Sequence, residues 1–294
     1  MTEIVERSGG DELFALLQRA LPQHWLSKGM HALARSRQRP VRNALIRTVL
    51  RGYPQIDMHE ALQPDPFAYP SFNAFFTREL RPDARPIADD ADCAVSPVDG
   101  TVSQLGRTDA GKLVQAKGMD YTADALLADT ASAARYVGGS FACLYLAPYN
   151  YHRIHMPLDG VLRATRYVPG QLFSVNASTA RSVPQLFARN ERLVCLFDTA
   201  HGPMAVVMVG AMLVSGVETV WRGVEIPPYA RDIQRHDYRG HEPPVTIARG
   251  GEMGRFNFGS TVIVLLPRGF TLDPSLAPEQ PVRMGQRLAA PAKA

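Results

Sequence analysis

From about residue 93 onward this chain has no room for a long helix. Short runs rich in β-branched and aromatic residues alternate with glycine and proline turns: Thr101 to Leu105, Phe141 to Leu146, Val161 to Val168, Arg192 to Phe197, Met204 to Val214 and Thr261 to Leu266. Gly and Pro, 23 of each in 294 residues, punctuate the chain too often for extended helical packing. Before residue 60 the texture differs. Leu13, Leu16, Leu17, Ala20 and Leu21 recur at helical spacing, and Val41, Ala44, Leu45 and Val49 make a second stripe with Pro40 placed to start it. The expected fold class is therefore α+β: a predominantly β body of short antiparallel strands, residues 61–294, preceded by an N-terminal helical arm, residues 1–60. Ser71 is placed to cap a short helix with Phe72, Phe75, Phe76 and Leu80 along it, Arg81 to Pro86 reads as extended, and Ala123 to Arg135 reads as one helix.

A weak internal repeat supports a duplicated β-hairpin unit. Pro97-Val98-Asp99-Gly100-Thr101-Val102 resembles Pro157-Leu158-Asp159-Gly160-Val161-Leu162, each a Pro, an apolar residue and an Asp-Gly turn feeding a strand.

The net charge of +4 hides an uneven distribution. Leu13 to Ile56 holds no Asp or Glu but carries eight basic residues: Arg19, Lys28, Arg35, Arg37, Arg39, Arg42, Arg47 and Arg51. Such an arm suits an anionic partner, whether a lipid surface, a nucleic acid or an acidic protein. Glu3 and Glu6 stand where a secretory signal carries basic residues, and the longest apolar run, Met204 to Val214, is about half a membrane span. A soluble or membrane-surface protein is expected. Cys93, Cys143 and Cys195 are odd in number and lack C-x-x-C spacing, which fits a reducing compartment.

Three segments carry candidate chemistry. Asp99 sits in Ser96-Pro97-Val98-Asp99-Gly100; alone it reads as a turn residue. His152 and His155 sit in Tyr149-Asn150-Tyr151-His152-Arg153-Ile154-His155-Met156-Pro157. A metal site needs further ligands, and His59, His201, His236 and His241 show no paired spacing, so no metal is expected. Ser260 follows Gly259 in a glycine-rich stretch that enters the run Val262 to Leu266, and no Lys follows to make it a phosphate loop. Separately each has a bland reading. Together an Asp, a His and a Ser are the makings of an orienter, a base and a nucleophile, without the Gly-x-Ser-x-Gly elbow of ordinary hydrolases.

These segments resemble the bacterial phosphatidylserine decarboxylases. The resemblance rests on Phe76-Thr77-Arg78-Glu79-Leu80, Ser96 to Gly100, Tyr151-His152-Arg153-Ile154-His155-Met156-Pro157, and Gly259-Ser260-Thr261, and runs from about residue 60 to 268. One departure is Phe258, where the family usually has Leu. The resemblance implies a proenzyme that cuts itself between Gly259 and Ser260 into chains 1–259 and 260–294, which stay associated. It implies a covalent pyruvoyl group made from Ser260, in place of pyridoxal phosphate or a metal. Asp99 would orient His155, His155 would take the Ser260 proton, and His152 is the favoured residue for decarboxylation. Ser174 is a candidate for the substrate pocket. The implied partner is phosphatidylserine in an anionic bilayer, with no nucleic acid, and homo-oligomers are compatible with it. The implied location is peripheral, on the cytoplasmic side of the inner membrane. Competing readings are a serine hydrolase using Asp99, His155 and Ser260 without self-cleavage, a pyruvoyl decarboxylase of a soluble amino acid, and a non-enzymatic β scaffold.

Overall fold

The computed structural model describes residues 23–116, 119–211, 216–225, 231–257 and 260–292. It opens with helices α1 (Gln23–Arg35) and α2 (Arg39–Gly52). Pro40 lies in the first turn of α2, where its missing N–H leaves no helical bond unmade. Helix α3 (Phe72–Phe76) is capped by the Ser71 hydroxyl, which accepts from Ala74 N–H at 3.1 Å, but it ends before Leu80, which instead bridges Ala61 in extended pairing. The three helices enclose an apolar cluster of Ala34, Ile46, Phe72, Phe75 and Phe76, with Leu45 and Val49 packed at its edge. The second predicted stripe thus docks partly on the protein's own core, while Arg35, Arg37, Arg39, Arg47 and Arg51 stay exposed. The first stripe, 13–21, lies outside the described residues. No described helix is long and apolar enough to cross a membrane.

The body is built on an antiparallel sheet. Its principal strands are β1 (Gly100–Arg107), β2 (Ser140–Leu146), β4 (Gly160–Val168), β5 (Arg192–Thr199), β6 (Gly202–Val209) and β9 (Ser260–Leu266). The order across the sheet is Gln234–Asp237, β4, β5, β6, β9, β2, β1, Pro281–Val282, with Thr246–Ile247 also paired to β4. Strand β9 lies between β6 and β2 and is buried along its whole length, which is why its sequence is a continuous apolar run rather than an alternating one. A four-stranded sheet joins Gly223–Val224, β7 (Val217–Thr219), β8 (Glu252–Phe256) and β3 (Arg153–His155). A three-stranded sheet joins Ala94–Val95, Arg287–Pro291 and Phe270–Leu272. The α+β class with a dominant β body is what the turn-rich sequence predicts. The three cysteines are free and buried.

Two local expectations change. Ala123 to Arg135 is two helices, α4 (Ala123–Leu127) and α5 (Thr130–Ala134). Ala128 turns left-handed at φ 49°, and Asp129 starts the second helix by accepting from Ser132 N–H at 2.9 Å. Arg81 to Pro86 is a turn rather than extended, with Ala84 N–H on Arg81 O at 3.0 Å, and it carries Arg85 inward.

The sequence repeat is a structural one. Each Asp-Gly enters a long strand, β1 or β4, that takes a short antiparallel partner from later in the chain, with Gly100 opposite Val282 and Gly160 opposite Ile247. Each aspartate then accepts a backbone N–H two residues past that partner: Met284 N–H on Asp99 at 2.9 Å, Arg249 N–H on Asp159 at 2.7 Å. A left-handed glycine follows each, Gly285 at φ 86° and Gly250 at φ 76°. The units also bond each other reciprocally. Val95 N–H reaches Pro157 O at 3.0 Å, and His155 N–H reaches Pro97 O at 2.8 Å.

The two glycines differ in what a side chain would meet. At Gly285 a Cβ would lie 2.5 Å from the Pro86 carbonyl oxygen, which is backbone; at Gly250 it would lie 2.8 Å from the tip of Ile87. Both substitutions carry the left-handed penalty of about 1–2 kcal/mol. Gly285→Ala adds a clash that only backbone movement relieves, for a total of about 3 kcal/mol or more, whereas Ile87 can give way at Gly250. Urea midpoints of the two variants should differ in that order, and equal losses would contradict this account.

Candidate active site

Ser260 opens β9 and is fully buried, opposite Leu146 at the end of β2. Its Oγ has no hydrogen-bond partner among the described residues. Beyond Leu146 the chain turns back through Asn150, whose Oδ1 accepts from Ala147 N–H at 2.8 Å, and runs into His152 and β3. The His152 carbonyl accepts from Phe256 N–H at 3.1 Å. The segment just before the predicted cut is therefore bonded to His152, and the residue after it is paired to the end of β2. Phe258 and Gly259, the upstream side of that cut, lie outside the described residues.

His152 is completely buried. Its Nδ1 donates to Asn150 O at 2.8 Å, so the lone pair sits on Nε2, which is buried and has no partner among the described residues. The ring lies 4.0 Å from the Phe76 ring, centre to centre. Burial, with a smaller contribution from the Arg78 charge, pushes its pKa down to about 3, although the Asn150 carbonyl opposes this. His155 is held at both nitrogens. Nδ1 donates to Gly250 O at 2.8 Å, and Nε2 accepts from the Tyr151 hydroxyl at 2.9 Å. Burial lowers its pKa too, while the Gly250 carbonyl and the carboxylates of Glu252 and Asp99 act to raise it. Both histidines are thus neutral imidazoles in fixed tautomers.

Asp99 does not orient His155 by a hydrogen bond, as the resemblance implied. Its carboxylate is occupied by Arg85, through Nε at 2.9 and 3.0 Å and Nη2 at 2.6 Å, and by Met284 N–H. Arg85 also binds Glu60 at 2.7 Å. The physical reason is charge: a buried carboxylate pairs with a buried guanidinium before it turns to a neutral imidazole. What reaches His155 from Asp99 is its field. The His155 tautomer is set instead by Gly250 and Tyr151. Ser174 lies in the turn before helix α6 (Ala177–Ser182), where its hydroxyl meets Asn176 N–H at 3.5 Å. Among the described residues, no cluster of three or more His, Cys, Asp or Glu is arranged to hold a metal.

Sequence reasoning did not foresee Tyr151, Arg85 or the Gly250 carbonyl in these roles. Tyr151 was visible as a neighbour of the paired histidines, but its bond to His155 depends on how the chain bends between them. Arg85 was assigned to an extended segment, which hid its turn into the site.

A serine oxygen with no partner among the described residues, at the head of a buried strand whose preceding segment is bonded to the His152 backbone, is a group prepared for chemistry on the chain itself. The family model described as phosphatidylserine decarboxylase matches residues 72–290, and one described as PSD matches residues 13–54. A phosphatidylserine decarboxylase proenzyme of Xanthomonas axonopodis pv. citri is 55% identical over 278 residues, covering 94% of this chain and 98% of the relative. One from Bordetella avium is 51% identical over 286 residues, covering 96% of each. The chain belongs to the phosphatidylserine decarboxylase family.

The lowered pKa of His152 has a consequence for stability. Its ordinary value is 6.5, and its folded value is about 3. The neutral ring therefore contributes stability that is fully present above about pH 6.5 and is lost as pH falls toward 3. His152→Gln cannot take up that proton. Between pH 7 and pH 4 the wild type should lose about 3 kcal/mol more than the variant, read from urea midpoints. Parallel acid limbs would mean that His152 is not buried neutral.

Proposed function

We propose that this protein converts phosphatidylserine to phosphatidylethanolamine with a pyruvoyl group made from its own Ser260. The observation that carries the reading is the buried, unpartnered Ser260 Oγ at the start of β9. Maturation begins when that oxygen attacks the Gly259 carbonyl. Attack within one folded chain replaces a bimolecular encounter with a positioned step, worth roughly 7–11 kcal/mol. The amide becomes an ester, and proton loss from the Ser260 Cα releases Gly259 as a carboxylate. The dehydroalanine left at residue 260 takes up water and loses ammonia, leaving the pyruvoyl group.

The residues present fit that group. Ser260 is fully buried, and the neutral His152 lies on the segment whose backbone bonds Phe256. When formed, the group supplies an electron sink for the electrons left by departing carbon dioxide. His155 serves best as the base for the cut, because Glu252 and Asp99 support its basicity. The Ser260 proton reaches Nε2 through the Tyr151 hydroxyl or once that hydroxyl turns aside. His152 is too weak a base to hold a proton unaided. An entering anionic substrate raises its proton affinity at the moment the product carbanion needs a proton, a transfer worth about 10²–10⁴ in rate.

The exposed arginines of α1, α2 and the segment between them, with no acid from Leu13 to Ile56, support peripheral docking on the cytoplasmic face of the inner membrane. Replacing Arg39, Arg47 and Arg51 by Gln should weaken binding to anionic vesicles about 100-fold, from roughly 1 kcal/mol per charge. Undiminished flotation of the triple variant would remove this surface from the proposal.

Intact mass under denaturing conditions tests maturation. The wild type should give chain 1–259 and a chain starting at a pyruvoyl in place of Ser260, Ser260→Ala should stay whole, and His155→Ala should cut about 10²–10⁴ more slowly. A whole wild-type chain that fluorophosphonates label would instead establish a serine hydrolase.

A further inference from the structure

Arg78 is a buried cation in direct contact with no carboxylate among the described residues, although the charges of Asp99 and Glu60 reach it. It is 5% exposed, and its side chain forms no hydrogen bond or ion pair among the described residues; Nε is sealed from solvent with no partner. Its guanidinium carbon lies 5.9 Å from the centre of the Phe75 ring. The neighbouring arginines are different. Arg85 is held by Asp99 and Glu60, and Arg153 by Glu79 and Glu252. A guanidinium taken out of water without a partner is costly, so such a group is retained where an anion arrives.

Its surroundings indicate which anion. Arg78 lines a cavity of about 250 Å³ together with Asn150, Tyr151, the Arg85–Asp99–Glu60 ionic network and Asp57. Asn150 holds the His152 ring, and Tyr151 holds His155. The Arg78 charge is also felt at His152. Resting on the decarboxylase reading above, we infer that Arg78 binds the phosphodiester of the lipid headgroup.

Phosphatidylserine offers two anions, a carboxylate and a phosphodiester. A cation fixed on the carboxylate would stabilise the ground state more than the transition state, because that charge leaves the carboxyl as carbon dioxide forms. Such a contact slows the reaction. The phosphodiester keeps its charge from substrate to product, so a contact there anchors the headgroup without raising the barrier. The guanidinium fork matches two phosphate oxygens.

The test compares mature wild type and Arg78→Gln, each checked for complete cutting by intact mass. KM for phosphatidylserine in mixed micelles should rise about 30-fold or more, with kcat held within a few-fold. Glycerophosphoethanolamine binding, followed by calorimetry, should weaken by a similar factor. If Gln at 78 prevents folding, Arg78→Lys keeps the charge but loses the fork, and should raise KM several-fold at constant kcat. Unchanged constants in the folded variant overturn the inference. So does a rise in kcat together with KM, which marks the carboxylate as the bound anion, and so does a fall in kcat at constant KM, which marks a contact made only in the transition state. Arg78-dependent binding of inorganic phosphate with an unchanged lipid KM also overturns it, marking a site for free phosphate. A wild type that binds glycerophosphoethanolamine through Arg78 but does not consume phosphatidylserine would retain the anion site and reject the decarboxylase reading.

Discussion

The pairing of β9 with strands on both sides is the constraint on which the rest depends. Seven residues, Ser260 to Leu266, face Leu146 to Ser140 of β2, and Thr261 to Leu265 face Val209 to Ala205 of β6. Because the strand is buried throughout, its polar backbone is satisfied by these ladders, and removing it would expose the centre of the core. A self-cut at its first residue therefore costs one covalent bond and none of these contacts. The segment after the cut is tied in further by Pro281–Val282 on β1 and by Phe270–Leu272 and Arg287–Pro291 in the three-stranded sheet. Met284 N–H on Asp99 joins that segment directly to the site's ionic network. The same rigidity fixes Ser260 against its neighbours, which intramolecular attack requires.

Around that strand, electrostatics are divided between paired and unpaired charge. Arg85 and Arg153 each bridge two carboxylates, Asp99 with Glu60 and Glu79 with Glu252. The two histidines stay neutral because burial outweighs the fields that would charge them. Arg78, by contrast, forms no ion pair among the described residues and meets carboxylates only through the fields of Asp99 and Glu60. The proposed headgroup contact would give that guanidinium a direct partner.

Much of this was legible in the chain. The turn-separated β runs marked the strands of the main sheet within a few residues, because runs such as Val262 to Leu266 have no other stable use at that length. Asp99, His152, His155 and Ser260 were each identified by the company they keep in sequence. What stayed hidden was which side chain bonds which. The Arg85–Asp99 pair depends on a turn at Arg81 to Ala84 that no glycine or asparagine announces. The break at Ala128 depends on Asp129 competing as a cap against continuation of α4, a contest that propensity leaves nearly even. The solitude of Arg78 is a property of three-dimensional neighbours, and an arginine in sequence carries no mark of it.

The duplicated unit explains where the asymmetry of the site came from. Shifting the first unit onto the second places Val95 on His155 and Gly285 on Gly250, since Val95 and His155 donate to Pro157 and Pro97 in the same way. In the first unit the Gly285 carbonyl accepts a backbone N–H, from Ala88 at 2.9 Å. In the second the Gly250 carbonyl accepts the His155 ring nitrogen. The frame thus provides one carbonyl in two equivalent places, used once for chain geometry and once to fix an imidazole. The aspartates diverge as well. Asp159 caps a turn, whereas Asp99 does so and also recruits Arg85 and, through it, Glu60. A symmetric scaffold solves the backbone problem twice and leaves the side chains of one copy free to specialise, so the reactive groups are gathered where the two units cross.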